Sequence, residues 1–221
     1  MLTTLIAVIH GYAEQAPKTI CLTFDDGPGP YTEQLLDLLQ QYHVKATFFV
    51  VDTPYVELLT RMALEGHTIG CHSACHEYGE IYRSSEAYWE DFDKIQQVVE
   101  VYTGEKPLLL RFPGGSSNTI SKKYCPGLMS QLARETESRE LRYFDWNVDS
   151  GDGSGLGDTE TVYQNVISGI RGQAYSVVLQ HDIHRFSVDA VERIIQWGLQ
   201  NGYRFAPLTA DSPDCHHIIV N

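Results

Sequence analysis

The chain has 221 residues, 43% of them hydrophobic, enough for one large α/β domain with a sizeable core. Lys and Arg number 16 against 29 Asp and Glu, and the formal charge of −13 excludes a protein whose task is to neutralise nucleic-acid phosphates. Five cysteines, an odd count, do not make a disulfide framework, and no low-complexity tract is present.

Residues 1–9 are apolar but lack a basic leading segment and are too short to span a membrane. They read as a first strand, or as the start of a chain trimmed below a leader, rather than as a signal peptide. The expected organisation is an N-terminal extension over 1–18, one domain over 19–210 and a C-terminal tail over 211–221. Strand-like apolar runs occur at 19–25, 45–51, 68–72, 108–112, 142–148, 175–181 and 203–208. Helix-length amphipathic stretches separate them at 31–42, 54–65, 84–103, 121–137, 159–171 and 187–201. Ser84, with Glu86 and Asp91, suits a helix start, and Gly66, Gly104 and Gly202 suit helix ends. Strands alternating with helices imply parallel pairing and right-handed crossovers, in a doubly wound sheet or a closed barrel. The polar residues favour the barrel. Asp25, Asp26, His72, Arg111, Asp149 and His181 fall at C-terminal ends of strands, which in a barrel converge on one mouth. An open sheet would spread them along its edge at about 4.8 Å per strand.

The chemistry begins at Thr23-Phe24-Asp25-Asp26-Gly27-Pro28, where Gly-Pro stops a buried strand and leaves two carboxylates at its end. By itself that motif is turn chemistry. It is complemented by His72-Ser73-Ala74-Cys75-His76, two imidazoles four residues apart that can point the same way from one turn. Imidazole with carboxylate suits zinc and related divalent ions, and three protein ligands leave positions open, the pattern of a catalytic site. Cys71 and Cys75 flank the histidines, but Cys21 and Cys71 lie in apolar runs where cysteine behaves as a small buried hydrophobe. In Arg111-Phe112-Pro113-Gly114-Gly115 the arginine can hold a carboxylate by a bidentate fork, and the glycines can expose a backbone N–H to a ligand. Asp145-Trp-Asn-Val-Asp149-Ser-Gly-Asp152 and Leu179-Gln-His181-Asp182-Ile-His184 follow the next two strands.

Five motifs in order, from Thr19 to Pro207, make the chain resemble the polysaccharide deacetylases of the NodB homology type, metal-dependent carbohydrate esterases. Thr23 to Pro28 matches TxDDGP, His72 to His76 matches HSxxH, Arg111 to Gly115 matches RxPxG, Asp149 stands at the fourth motif, and Leu179 to His181 matches LxH. The resemblance implies an α/β fold, a distorted (β/α) barrel of about seven parallel strands with an incomplete eighth unit. It implies Asp26, His72 and His76 as ligands of one divalent ion, zinc first, with cobalt, nickel or manganese as alternatives. Asp25 would be the base, Arg111 its orienting partner, and His181 the acid, aimed by Asp149. Gly114 would supply an oxyanion N–H, and Leu179 would line the acetyl pocket. The implied substrate is an N-acetylglucosamine-containing glycan, peptidoglycan or a chitin-like oligomer. An O-acetyl esterase, a small-amide hydrolase and a non-catalytic glycan binder are the alternatives. A monomer is expected, outside the cell or in its wall, with no nucleic-acid partner and no membrane span. Family members acting on long glycans often carry a tyrosine where Gly114 stands and a tryptophan where this chain has Asp152-Gly153, so the polymer-binding wall departs from theirs. Trp146, Trp89 and Phe112 are expected in the core rather than in that wall.

Overall fold

The computed structural model describes residues 18–221, so the expectations for residues 1–17 fall outside it. In chain order the elements are β1 (Thr19–Asp25), α1 (Thr32–Gln41), β2 (Thr47–Val51), α2 (Leu58–Leu64), β3 (Thr68–Ser73), α3 (Tyr78–Ile81), α4 (Ser85–Thr103) and β4 (Leu109–Leu110). They continue as α5 (Ser121–Tyr124), α6 (Leu128–Ser138), β5 (Arg142–Tyr143), β6 (Val148–Asp149), α7 (Thr159–Ile170), β7 (Tyr175–His181), α8 (Arg185–Gln200) and β8 (Arg204–Phe205). Ser84 caps α4 by accepting from the Ala87 N–H, and Gly104 ends that helix in the left-handed region. Two expected elements divide. The 121–137 stretch breaks into α5 and α6 at Pro126-Gly127, and the 142–148 run becomes β5 and β6, so among the described residues the sheet has eight strands rather than seven.

All pairings are parallel, in the order β5-β4-β3-β2-β1-β7-β6, with β8 on the lower half of β1. The two ends of this order, β5 and β6, are separated in the chain by residues 144–147 alone, so the sheet must curl until its edges face each other. No pairing joins those edges among the described residues, which makes the fold a distorted, incompletely closed barrel.

Period-two alternation divides β1 between two environments. Ile20, Leu22 and Phe24 join the large cluster under the helices, whereas Cys21 belongs to a smaller cluster inside the curl with Phe49, Leu109, Phe144, Val177, Leu208 and Cys215. Thr23 and Asp25 share the inward parity of Cys21, as Leu179 and His181 share that of Val177. The interior is therefore apolar below and charged at the mouth. Cys21 and Cys71 are buried and free, as expected of small apolar side chains.

Candidate active site

Asp25 and His181 stand opposite each other in the β1–β7 ladder, so two adjacent strands bring a carboxylate and an imidazole to the same level of the mouth. Asp26 follows at φ 69° and His76 lies at φ 54°, left-handed conformations that Asp and His tolerate better than most residues and that turn the chain sharply just beyond β1 and in the loop after β3. Gly27 admits no side chain. An added Cβ would lie 2.2 Å from the Asp182 carboxylate, which is fully buried behind the loop and accepts from Thr32 Oγ1.

The ligand atoms of Asp26, His72 and His76 all lie within 4.8 Å of one another. Asp26 Oδ1 is 3.4 Å from Nε2 of each histidine, and this oxygen is buried without a hydrogen-bond partner. Those separations are too long for strong hydrogen bonds. They match the roughly 3.3 Å between ligands bonded tetrahedrally to one ion at about 2.0–2.1 Å. The donor set thus fits a divalent metal. His72 Nδ1 donates to the Arg111 carbonyl at 2.7 Å, which fixes the tautomer and turns the Nε2 lone pair inward. Burial, against the pull of Asp26, lowers the His72 pKa to about 3, so the ring is neutral as ligation requires. His76 is placed by its own scaffold. Asp91, reaching up from α4, accepts from Ser73 Oγ and from the Ala74 and Cys75 N–H groups, and Ser73 Oγ in turn accepts from the His76 N–H.

Arg111 is wholly buried and donates through Nη1 to Asp25 Oδ1 at 2.8 Å and to Thr23 Oγ1 at 2.7 Å. Its Nε and Nη2 go to the carbonyls of Phe144 and Asp145, and the guanidinium lies 4.3 Å from the Phe49 ring centroid. The expected bidentate fork is therefore a single contact, because the remaining donors satisfy the barrel's closing segment. Burial raises the Asp25 pKa, with Arg111 and His181 opposing, and leaves a carboxylate more basic than an exposed one.

The expected partner of His181 is corrected. Asp149 is exposed and accepts from the Gly151 N–H, whereas Asp152, fully buried, accepts from His181 Nδ1 at 2.7 Å and from its backbone N–H at 2.8 Å. Asp149 ends β6 and its side chain turns into the Ser150-Gly151 turn, which carries the chain round so that Asp152 enters beneath the imidazole. Burial opposes charge on His181, but the hydrogen bond and charge of Asp152, with the charges of Asp25 and Asp26, outweigh it and raise the pKa to about 9. His184 neither caps α8 with its side chain nor bonds His181; it stacks on Phe186.

Asp25, Asp26, His72, His76 and His181 line a cleft of about 260 Å³ together with Tyr78, Gly114, Trp146, Gly153 and Leu179. No acceptor among the described residues takes the Gly114 N–H. Phe112 and Trp89 are core residues as expected, but Trp146 is half-buried and walls the cleft. Tyr78, two residues beyond His76, walls it too, its hydroxyl 3.2 Å from where a Cβ on Gly114 would stand. A larger groove of about 540 Å³ lies along α2, α4 and residues 208–210, and none of the converging ligands or charged groups lines it.

The sequence profile of the polysaccharide deacetylases matches residues 12–126. The chain is 34% identical over 212 residues to a peptidoglycan-N-acetylglucosamine deacetylase of Bacillus cereus, covering 92% of this chain and 72% of that protein. The crystal structure of the catalytic domain of a peptidoglycan N-acetylglucosamine deacetylase from Eubacterium rectale superposes with a TM-score of 0.92 at 52% identity, over 94% of this chain and 96% of that one. A family 4 acetyl xylan esterase from Clostridium thermocellum, solved with a cobalt ion, aligns at 26% identity and TM-score 0.68, over 86% and 88% of the two chains.

Proposed function

The chain belongs to the polysaccharide deacetylase family and is a glycan deacetylase, and from that premise we propose that it removes N-acetyl groups from N-acetylglucosamine units of peptidoglycan, with zinc held by Asp26, His72 and His76. The observation that carries the reading is the pairing of a buried, basic carboxylate with a charged imidazole on facing strand positions beside a three-ligand cluster. When bound, the divalent ion supplies Lewis-acid polarisation of the acetyl carbonyl and acidifies water at neutral pH. Asp25 takes a proton from the attacking water, with Arg111 holding the carboxylate in place. The water oxygen bonds to the acetyl carbon, and the Gly114 N–H donates to the oxyanion. His181 protonates the nitrogen as the C–N bond breaks, releasing acetate and a free amine, and Asp152 steadies the imidazolium. Leu179 lines the floor on which the acetyl methyl rests, while Tyr78 and Trp146 offer aromatic faces to the sugar.

An amine leaves only when protonated, so an acid still charged at neutral pH favours an amide over an ester substrate. We place the protein as a monomer outside the cell or in its wall, where such a glycan lies; among the described residues no helix is long and apolar enough to cross a membrane. The test is acetate release from N-acetylglucosamine oligomers, isolated peptidoglycan and acetylated xylan in parallel. Release from peptidoglycan above the other two is expected; release from xylan alone would replace the reading with an O-acetyl esterase.

A further inference from the structure

Residues 214–217, beyond the expected domain boundary, run along β5 and the connection that leads from it towards β6. The Asp145 N–H donates to the Cys215 carbonyl at 2.7 Å, and Cys215 is buried in the interior cluster. The His217 N–H donates to Asp145 Oδ2 at 2.7 Å. Both ring nitrogens of His217 are engaged: Nε2 donates to the Trp146 carbonyl at 2.7 Å, and Nδ1 accepts from Ser117 Oγ at 2.9 Å, with the ring edge against the Trp146 indole. The neutral imidazole satisfies both contacts at once.

What His217 holds leads into the cleft by two routes. Asp145 is fully buried; its carbonyl accepts from Arg111 Nη2, the guanidinium that holds Asp25, and its carboxylate accepts from the Ser116 N–H at 2.8 Å and from Ser116 Oγ at 2.5 Å. Ser116 and Ser117 follow Gly114 in one loop. A Cβ on Gly115 would stand 2.9 Å from the Trp146 ring and 3.2 Å from Asp145 Oδ1, so that loop is pressed against the same two residues.

We propose that His217 is a positioning residue for the deacetylation, a latch that fixes the Gly114 loop and Trp146 against each other. It touches neither the metal ligands nor Asp25, and it sets where the oxyanion donor and the aromatic wall stand. The inference rests on the function proposed above. A misplacement of the order of 1 Å in such a support lowers turnover steeply, about 10²-fold in unfavourable cases.

The experiment compares H217A, H217Q and H216A with the parent protein. His216 belongs to the same segment, but it stacks on Tyr143 and donates to its carbonyl, away from the loop. Expected for H217A is a fall in kcat of at least about tenfold, with KM changed less and zinc affinity by titration calorimetry unchanged. The glutamine amide of H217Q can donate to the Trp146 carbonyl and accept from Ser117, so kcat should return to within about threefold of the parent. H216A should keep the parent kcat. A second readout needs no turnover. In fluorotryptophan-labelled protein, fluorine NMR resolves the three tryptophans; the Trp146 signal should shift in H217A and recover in H217Q, while those of Trp89 and Trp197 stay. A folded, zinc-binding H217A with the parent kcat, or with an unmoved Trp146 signal, overturns the proposal. If the parent releases no acetate from any glycan, the functional reading fails while the Trp146 signal still decides the latch.

Discussion

Asp25 and Asp26 are neighbours in the chain for which different work is proposed, and one substitution separates them. In Asp25→Asn the three metal ligands are untouched, so zinc content by elemental analysis should equal that of the parent, while turnover falls by at least about 10²-fold. Near-parental activity would remove Asp25 as the base. The two aspartates after β6 separate in the same way. Asp152→Asn removes the carboxylate that accepts from His181 twice and should cost about 10²-fold or more in kcat, whereas Asp149→Asn, at an exposed turn, should change it less than about twofold. The pH profile follows from the same bond. A folded pKa of about 9, above the ordinary imidazole value of 6.5, means the protonated form is favoured in the folded state. That contribution to stability is complete below about 6.5 and lost as pH rises through about 9, and turnover should fall on the same basic limb. A bound cation offsets the pull of Asp26, so the limb should lie at or below about 9 and move further down in Asp152→Asn. At this scale the sequence was legible wherever a residue's own type and strand-end position decide where it stands, as for Asp26 and His72, which meet in one cluster, and Arg111, which reaches Asp25. It was not legible at Asp152, because the Asp-x-x-Asp spacing offers two carboxylates and only the turn at Ser150-Gly151 decides which enters the interior.

The elements show a different boundary. Helix caps and strand runs are local, and Ser84 and Gly104 could be read directly from the chain. Asp91 could not. Beside Ser84 and Glu86 it passes as a first-turn acid, yet it is buried and carries the loop that presents His76. Replacing Asp91 with alanine leaves two backbone N–H groups and one hydroxyl without their acceptor, and it should weaken zinc binding by about 10–100-fold while α4 stays folded by circular dichroism. Unchanged zinc affinity would reduce Asp91 to a packing residue. Tyr78 lies two positions past His76, a spacing that already places an aromatic ring beside the ligand. Trp146 was hidden for another reason: in one unbroken 142–148 strand it would face the core, and the break into β5 and β6 turns it to the cleft instead.

At the level of the whole molecule, the proposed ligands come from the loop after β1 and from the segment between β3 and His76, strands that β2 separates in the sheet, so metal occupancy and folding should be linked. Zinc at a hundred times its Kd should add about 2.7 kcal/mol to stability, seen as a rise in Tm that His72→Ala does not show. An equal rise in His72→Ala would place the stabilising ion elsewhere. Barrel curvature was legible as the convergence of polar strand ends. Its incomplete closure depends on the short 144–147 connection and on residues 214–217, whose hydrogen bonds reach back to Asp145, Trp146 and, 100 residues away, Ser117. The most direct test of the proposed mechanism is acetate release from isolated peptidoglycan by metal-stripped protein before and after zinc is restored. Release should be absent when the metal is stripped, return with zinc and stay absent in Asp25→Asn; release that persists without any metal, or that Asp25→Asn retains, would rule the mechanism out.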